Sequence, residues 1–182
     1  DTIKAQSEKM SRLIAELLEL TRFSEKSKDT ADFRLFSVSE AVETTLLYFE
    51  SRAFESEHSL HLEIAEDLTM YGDALKIERL VGILIDNALK YADAKTEIQF
   101  CLTESNHRIL LTCSNFCSDL TSEQMEHLFD RFYRAEESHS HQKEGFGLGL
   151  SIAQAITQQH KGEITASLQE NRITFTVKLQ KS

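Results

Sequence analysis

Residues 145–156, GFGLGLSIAQAI, combine a glycine-rich loop with the start of an apolar helical pattern. Three of the six glycines in the 182-residue chain lie in this loop, at Gly145, Gly147 and Gly149. Glycine lets the main chain approach a ligand closely, and a helix that starts from such a loop directs unpaired N–H groups at an anion, typically phosphate. The stretch therefore predicts an anion-binding helix start. It is not a Walker loop, because no Gly-Lys-Ser/Thr follows, and no strand leads directly into it as the dinucleotide fingerprint requires.

The segment LIDNALKYAD, residues 84–93, lies on a predicted helix whose apolar stripe is formed by Ile77, Val81, Leu84 and Ala88. At about 100° per residue, Asn87 lies about 60° from this stripe, so its side chain can border a cleft, with Lys90 one turn further on the same side. An amide oxygen can bind Mg²⁺, and a lysine can contact the phosphates that the metal bridges. From this segment alone, an exposed Asn and Lys on an ordinary helix is the more common explanation.

The segment LFDRFYR, residues 128–134, stands between the first two segments and is followed by a polar stretch, residues 135–144. In this order the three segments resemble the ATP-binding catalytic domain of bacterial sensor histidine kinases, which belongs to the GHKL ATPase superfamily. The resemblance covers about residues 35–180. Residues 8–24, EKMSRLIAELLELTRFS, resemble the second helix of the dimerisation and histidine phosphotransfer hairpin that precedes this domain in the family.

The fold class follows from the alternation of two apolar periods along the chain. Helical periodicity, with a capping-box spacing at Ser37 and Glu40 for the first segment, predicts helices at about 38–53, 74–91, 122–133 and 148–160. Alternation of apolar and polar residues predicts strands near 60–64, 68–71, 98–102, 109–113 and 173–179. The sum is an α+β fold with an antiparallel-leaning sheet, one polar sheet face and helices on the other face.

The resemblance implies the two-layer α/β sandwich of the Bergerat, or GHKL, fold with an N-terminal helix from the dimerisation hairpin. It implies that residues 1–28 form this helix, residues 29–34 a linker and residues 35–182 the catalytic ATP-binding domain. The first helix carries a heptad-like apolar stripe. From periodicity alone, packing on its own domain and pairing in a dimerising hairpin are equally open for this stripe.

The resemblance also assigns roles to individual residues. Asn87 matches the metal-binding asparagine, Lys90 a phosphate contact and Tyr91 an aromatic residue beside the adenine. Arg131 and Arg134 match basic residues that reach the terminal phosphate, so catalysis is expected to depend on these arginines with Asn87 and Lys90. The second glycine box is expected to bind the nucleotide through Gly145, Phe146, Gly147, Leu148, Gly149 and Leu150. We expect a short lid at residues 135–144, with Phe129 and Phe132 as core anchors rather than ligand contacts.

The sequence departs from the family pattern at two places. Ile83 stands where the metal-binding helix often carries a second Asn, and an isoleucine can neither ligate Mg²⁺ nor activate water. The first box of the family, Asp-x-Gly-x-Gly, falls on Asn115, Cys117 and Asp119. The family's acid accepts a hydrogen bond from the adenine amino group, and the amide oxygen of Asn115 can do the same without charge. We therefore expect adenine selectivity to survive with weaker affinity.

The charge and the cysteine content argue against several other classes of function. A net charge of −10 argues against nucleic-acid binding, which needs a basic face, although a local basic pocket can still bind a small anion. Three cysteines, at Cys101, Cys113 and Cys117, fit a reducing compartment better than a disulfide framework. A zinc site at these cysteines is a weak alternative, because a Cys-x₃-Cys spacing without a second close pair is not a zinc signature.

The sequence has no apolar run of about 18 residues and starts without Met inside a helical pattern, so we expect a fragment of a larger protein. The resemblance implies that this protein is a membrane-anchored sensor with the present part in the cytoplasm. None of its seven histidines stands in a His-Glu-Leu-Arg-Thr-Pro pattern, which places the expected phosphoacceptor outside this sequence. The resemblance implies ATP and Mg²⁺ as ligands, a response regulator receiver domain as partner and a homodimer formed through the hairpin.

The leading hypothesis is a histidine kinase catalytic domain that transfers the γ-phosphoryl group of ATP to a histidine and thence to a response regulator. Two alternatives stay open. Ile83 and the missing glycines of the first box favour a degenerate module that regulates a partner with weak or no nucleotide binding. A GHKL-type serine kinase is the other, and the dimerisation-type helix counts against it.

Overall fold

The computed structural model describes residues 2–24, 32–134 and 145–181. The elements follow in the order α1 (Thr2–Ser24), β1 (Arg34–Ser37), α2 (Val38–Glu55), β2 (Ser59–Ile64), β3 (Thr69–Gly72), α3 (Ala74–Tyr91), β4 (Glu97–Ser105), β5 (Arg108–Phe116), α4 (Ser122–Met125), α5 (Gly149–Gln159), β6 (Glu163–Gln169) and β7 (Arg172–Gln180).

Five strands form one mixed sheet in the order β2-β4-β5-β7-β6. The pairing of β2 with β4 is parallel, and the other pairs are antiparallel. Alternate residues of the central strands, among them Phe100, Leu111 and Phe175, are buried on the face that α2, α3 and α5 cover. The predicted α+β sandwich with helices gathered on one face is therefore confirmed, and the helical layer positions the cleft described below.

The helices of this layer start where the sequence predicts. The side chain of Ser37 accepts a hydrogen bond from the N–H of Glu40 at the start of α2, and Asp73 accepts one from the N–H of Lys76 at the start of α3. These caps satisfy N–H groups that the first helical turn leaves free. The apolar stripe of α3 is buried against the sheet, so the fold fixes which side of this helix remains for a ligand.

The apolar stripe of α1 is divided between two environments. Leu13 and Leu17 pack against the hydrophobic core, where α1 lies beside α5. Met10, Ile14 and Leu18 are 62%, 51% and 54% exposed. Packing on the chain's own domain thus uses only part of the stripe. The predicted helix over residues 1–28 is described only from Thr2 to Ser24, and the predicted linker lies largely outside the described residues.

One helix was predicted too long, and two strands, β1 and β6, were not predicted. The segment predicted as a helix over 122–133 has one helical turn, Ser122–Met125, closed by a capping box of Thr121 and Gln124 and followed by turns. In a small second sheet, β1 pairs antiparallel with β3. Strand β3 was predicted, and β1 was not. The four-residue strand β1 is too short to display a period.

A buried histidine joins the end of α5 to the start of α3. His160 is 5% exposed; its Nδ1–H donates to Ile156 O at 2.8 Å, and its Nε2 accepts the N–H of Asp73 at 3.0 Å. Its ring stacks on Phe33 with centroids 4.8 Å apart. This arrangement needs a neutral ring, because a proton on Nε2 would remove the acceptor.

The stability of the fold should consequently depend on pH through His160. Burial lowers the pKa of His160, so the unfolded chain takes up the proton first as the pH falls below about 6.5. The stabilisation is complete above that pH and declines below it, at no more than about 1.4 kcal/mol per pH unit. Urea unfolding at about pH 7.5 and about pH 5.5 measures it. The pH difference should shrink in His160→Gln and persist in His107→Asn at an exposed turn; equal pH dependence in both variants would contradict the prediction.

Candidate functional site

A cleft of about 470 Å³ opens between α3, the end of β5, the turn after α4 and the glycine loop that precedes α5. It brings together residues that lie far apart in the sequence. The predicted site residues that line it are Asn87, Lys90, Tyr91, Asn115, Arg134, Gly145, Phe146, Gly147, Gly149 and Leu150. Of the remaining predicted residues, Leu148 is fully buried behind the loop, and Arg131 is exposed and lies outside the lining.

One face of α3 forms a wall of the cleft with Ile83, Asp86, Asn87 and Lys90. Asp86 binds two cations: its Oδ2 lies 2.6 Å from Lys90 Nζ and its Oδ1 lies 2.9 Å from Arg52 Nη1. Asp86 therefore belongs to the cleft wall together with Asn87 and Lys90. An acid four residues before a lysine is a common ion pair on a helix surface. This spacing was the signal in the sequence for the contact between Asp86 and Lys90.

Asn115 lies near the end of β5 and is 1% exposed. Its Nδ2 donates to Phe116 O at 3.0 Å. This bond turns the amide nitrogen toward the main chain, so the amide oxygen is the atom that can accept a hydrogen bond from a ligand. The alternation of β5 that buries Cys113 also directs Asn115 to the helix-covered face of the sheet.

The segment that replaces the first glycine box is held by side-chain contacts. Asp93 accepts hydrogen bonds from the N–H of Ser118 at 3.1 Å and from its hydroxyl at 2.6 Å. The N–H of Cys117 donates to Asn171 O at 2.7 Å. Cys117 and Asp119 both line the cleft. The turn thus has its own carboxylate anchor where the family pattern has glycines, a feature that the sequence interpretation missed.

The second glycine box makes a close backbone contact with the turn after α4. Gly147 has a φ of +72°, and a Cβ built there would lie 2.5 Å from Tyr133 O and 2.8 Å from Phe132 C. Its carbonyl accepts the N–H of Phe132 at 3.0 Å. At Leu148 no side chain caps α5, so the first N–H groups of this helix remain for an anion.

The two predicted phenylalanine anchors behave differently. Phe129 packs against the core, with its ring in edge contact with Phe175 at 6.3 Å. Phe132 is 55% exposed, so its prediction as a core anchor was wrong. Its φ of +64° and its hydrogen bond to Gly147 fix the main chain in a turn that directs the side chain to solvent.

Comparison with known proteins agrees with this geometry. Residues 72–181 match the family model described as histidine kinase-, DNA gyrase B-, and HSP90-like ATPase. The chain belongs to this ATPase family. Among its relatives is the sensor protein DltS of Streptococcus agalactiae, which is 36% identical over 179 residues that make up 98% of this chain and 45% of DltS. The chain spans less than half the length of these curated relatives.

Solved histidine kinases share the fold of this ATPase domain. Histidine kinase AdeS of Acinetobacter baumannii is 25% identical with a TM-score of 0.77, and the match covers 98% of this chain and 82% of the AdeS chain. Histidine kinase ThkA in complex with response regulator protein TrrA gives a TM-score of 0.76 at 21% identity, covering 100% of this chain and 51% of that chain. The relatives thus identify the chain as the ATPase domain of the sensor histidine kinase type.

The side-chain donor atoms of the cleft limit the ways in which Mg²⁺ would be bound there. Within residues 2–24, 32–134 and 145–181, no three His, Cys, Asp or Glu side chains are grouped as a metal site. The cleft supplies the amide oxygen of Asn87, while the carboxylate of Asp86 is engaged by two cations. This donor set fits an ion that keeps several waters and takes further oxygen ligands from nucleotide phosphates. That is the usual environment of Mg²⁺.

The cysteines of the ATPase domain are free thiols. Cys113 is fully buried, its Sγ donates to Leu84 O at 3.6 Å, and burial raises its pKa to about 12. Such a thiol stays protonated at neutral pH, and metal binding needs the thiolate, so the structure gives the zinc alternative no support. Within residues 2–24, 32–134 and 145–181, a helix with the length and apolar content that crossing a bilayer demands is not found.

Proposed function

We propose that this chain binds ATP with Mg²⁺ in the cleft and presents the γ-phosphoryl group to a histidine on the first helix of a dimerisation hairpin. The bond between the γ-phosphorus and the β–γ bridging oxygen breaks, and a bond to a ring nitrogen forms. ADP leaves with the electron pair of the broken bond, and the ring releases its other N–H proton. A response regulator receiver domain is the expected next acceptor, and the parent protein is expected to be a homodimeric, membrane-anchored sensor.

The observation that carries this proposal is the shared cleft of Asn87, Asn115 and the start of α5. Asn115 provides an acceptor for the adenine amino group at one end. Asn87 provides an oxygen ligand for Mg²⁺, which neutralises phosphate charge when bound. The uncapped helix start and Lys90 attract the phosphates from two sides. Phosphoryl transfer needs positioned charge more than a nucleophile from this domain. The lysine, the metal ligand and the helix start supply such charge.

A degenerate regulatory module is the second candidate, and Ile83 favours it. A Cβ built at Gly149 would lie 3.4 Å from Ile83 Cγ2, so an apolar side chain lies directly beside the glycine box. An amide at position 83 would offer a second oxygen to a bound cation. Asn87 and the intact second glycine box oppose this candidate.

Titration of the chain with a fluorescent ATP analogue, with and without Mg²⁺, tests the proposal. Binding that Mg²⁺ strengthens supports it, and no binding at millimolar ligand rejects it in favour of the regulatory module. A second step adds a separate hairpin that contains the histidine. Acid-labile phosphohistidine on this hairpin is the expected product, whereas labelled serine would indicate a serine kinase.

Replacing Asn115 with Asp should tighten ATP binding, by about tenfold or less, because a charged acceptor makes a stronger hydrogen bond with the adenine amino group. The variant loses the bond from Nδ2 to Phe116 O and leaves a buried carboxylate beside that carbonyl, so a decrease in stability of about 1–3 kcal/mol is also expected. Isothermal titration with ATP and with GTP measures affinity and base selectivity. Asn106→Asp, in the exposed turn between β4 and β5, serves as a control outside the cleft lining. A clear loss of ATP affinity in Asn115→Asp would show that this residue does not face the adenine.

A further inference from the structure

Arg52 lines the cleft although it lies outside residues 72–181, which match the family model. Its Nη1 lies 2.9 Å from Asp86 Oδ1, and the other oxygen of Asp86 lies 2.6 Å from Lys90 Nζ. One carboxylate therefore holds two cations side by side on the cleft wall, directly next to Asn87. We propose that Arg52 is a second triphosphate-binding cation, oriented by Asp86 and acting beside Lys90. This inference rests on the proposed binding of ATP in the same cleft.

The packing of α2 on α3 brings Arg52 to this position. A Cβ built at Gly82 would lie 3.9 Å from the ring of Phe49, so the two helices approach closely where α3 has no side chain. Arg52 follows Phe49 by three residues, and its guanidinium carbon lies 5.4 Å from the centre of that ring. The aromatic ring and Asp86 thus restrain the guanidinium from two sides. A restrained cation loses less side-chain entropy when it binds an anion.

The charge cluster remains accessible to a ligand. The side chain of Arg52 is 48% exposed and that of Asp86 is 30% exposed in their ion pair, and Lys90 is likewise 30% exposed. Two cations and one carboxylate leave one net positive charge, whereas the chain as a whole carries a net charge of −10. A guanidinium has five N–H donors and can contact a phosphate while it keeps its bond to a carboxylate. The phosphate chain of a nucleotide is therefore the ligand that this wall suits.

Binding of ATP, ADP and adenosine to Arg52→Gln tests the inference, because these ligands differ only in their phosphates. ATP affinity should fall by about tenfold, ADP affinity by less, and adenosine affinity should stay at the wild-type value. Arg52→Lys retains the charge without the planar fork and should restore part of the loss. In an Asp86→Asn background, Arg52→Gln should cost less, since Asp86 no longer orients the guanidinium. Arg108→Gln, at an exposed position outside the cleft lining, is the matched control.

The possible outcomes separate this inference from the function on which it rests. An equal loss of affinity for all three ligands would assign Arg52 to helix packing alone and overturn the inference, as would unchanged ATP affinity. A wild-type chain that binds neither ATP nor adenosine would overturn the proposed function together with the inference. Urea unfolding of each variant shows whether it retains the wild-type stability, so that a loss of ATP affinity is assigned to the site.

Discussion

Replacing Gly147 with Ala is expected to reduce ATP affinity by about 100-fold and the free energy of unfolding by about 2–4 kcal/mol. Two effects act together at this residue. A side chain is strained at a φ of +72°, and its Cβ would lie 2.5 Å from Tyr133 O and 2.8 Å from Phe132 C. These are main-chain atoms, which cannot move away as the end of a side chain does. The turn after α4 and the glycine loop must therefore separate, and with them the wall that contains Arg134.

The glycine box itself provides the control for this prediction. A Cβ built at Gly145 has no atom within 4 Å, and its φ is not in the left-handed region, so Gly145→Ala should leave the free energy of unfolding near the wild-type value. ATP titration and urea unfolding of the two variants measure the difference. Similar behaviour of both variants would show that the contact between Gly147 and the turn at Phe132 does not support the site.

Replacing Asn87 with Ala should lower the rate of phosphoryl transfer to a separate histidine-containing hairpin by about 100-fold or more, the usual cost of losing one group that stabilises transferring charge. The physical reason is the loss of the amide oxygen that the cleft offers to Mg²⁺. The increase in ATP affinity that Mg²⁺ gives should also vanish. Adenosine affinity should be unchanged, because the alanine leaves the region of Asn115 intact.

Two measurements on the same variants check this second prediction. Titrations with ATP and adenosine, with and without Mg²⁺, separate the metal-dependent part of binding from the base-dependent part. Gln154→Ala removes an amide from α5 that does not line the cleft and should behave as wild type. Retention of the Mg²⁺ effect in Asn87→Ala would show that Asn87 is not the metal-binding residue.

The sequence predicts the helical layer well, because the information is local. Helix α3 has the predicted bounds, Ala74–Tyr91, since an N-cap aspartate and a regular apolar stripe lie within the segment itself. The second glycine box and Asn87 are likewise found in one cleft, as the three motifs in order indicate. The burial of Asn115 follows from the alternation of a single strand.

The missed features depend on contacts between distant segments. Phe132 has an apolar side chain that favours the core, but a hydrogen bond to Gly147, fifteen residues further along, fixes a left-handed backbone that turns it outward. Asp86 also binds Arg52 from another helix, and no helical period of α3 predicts that contact. The anchoring of Ser118 by Asp93 similarly joins two loops that flank the β4–β5 hairpin.

The apolar contact of Ile83 with the glycine box has a consequence for how long a bound nucleotide survives. Ile83 carries no group that can orient or deprotonate a water molecule, and its neighbour Gly149 adds none. A nucleotide held against this wall should keep its terminal phosphate until an acceptor side chain arrives. Phosphoryl transfer would then wait for the docking of the acceptor. The rate of docking, and not the rate of ATP hydrolysis in the cleft, would set the rate at which the signal is passed on.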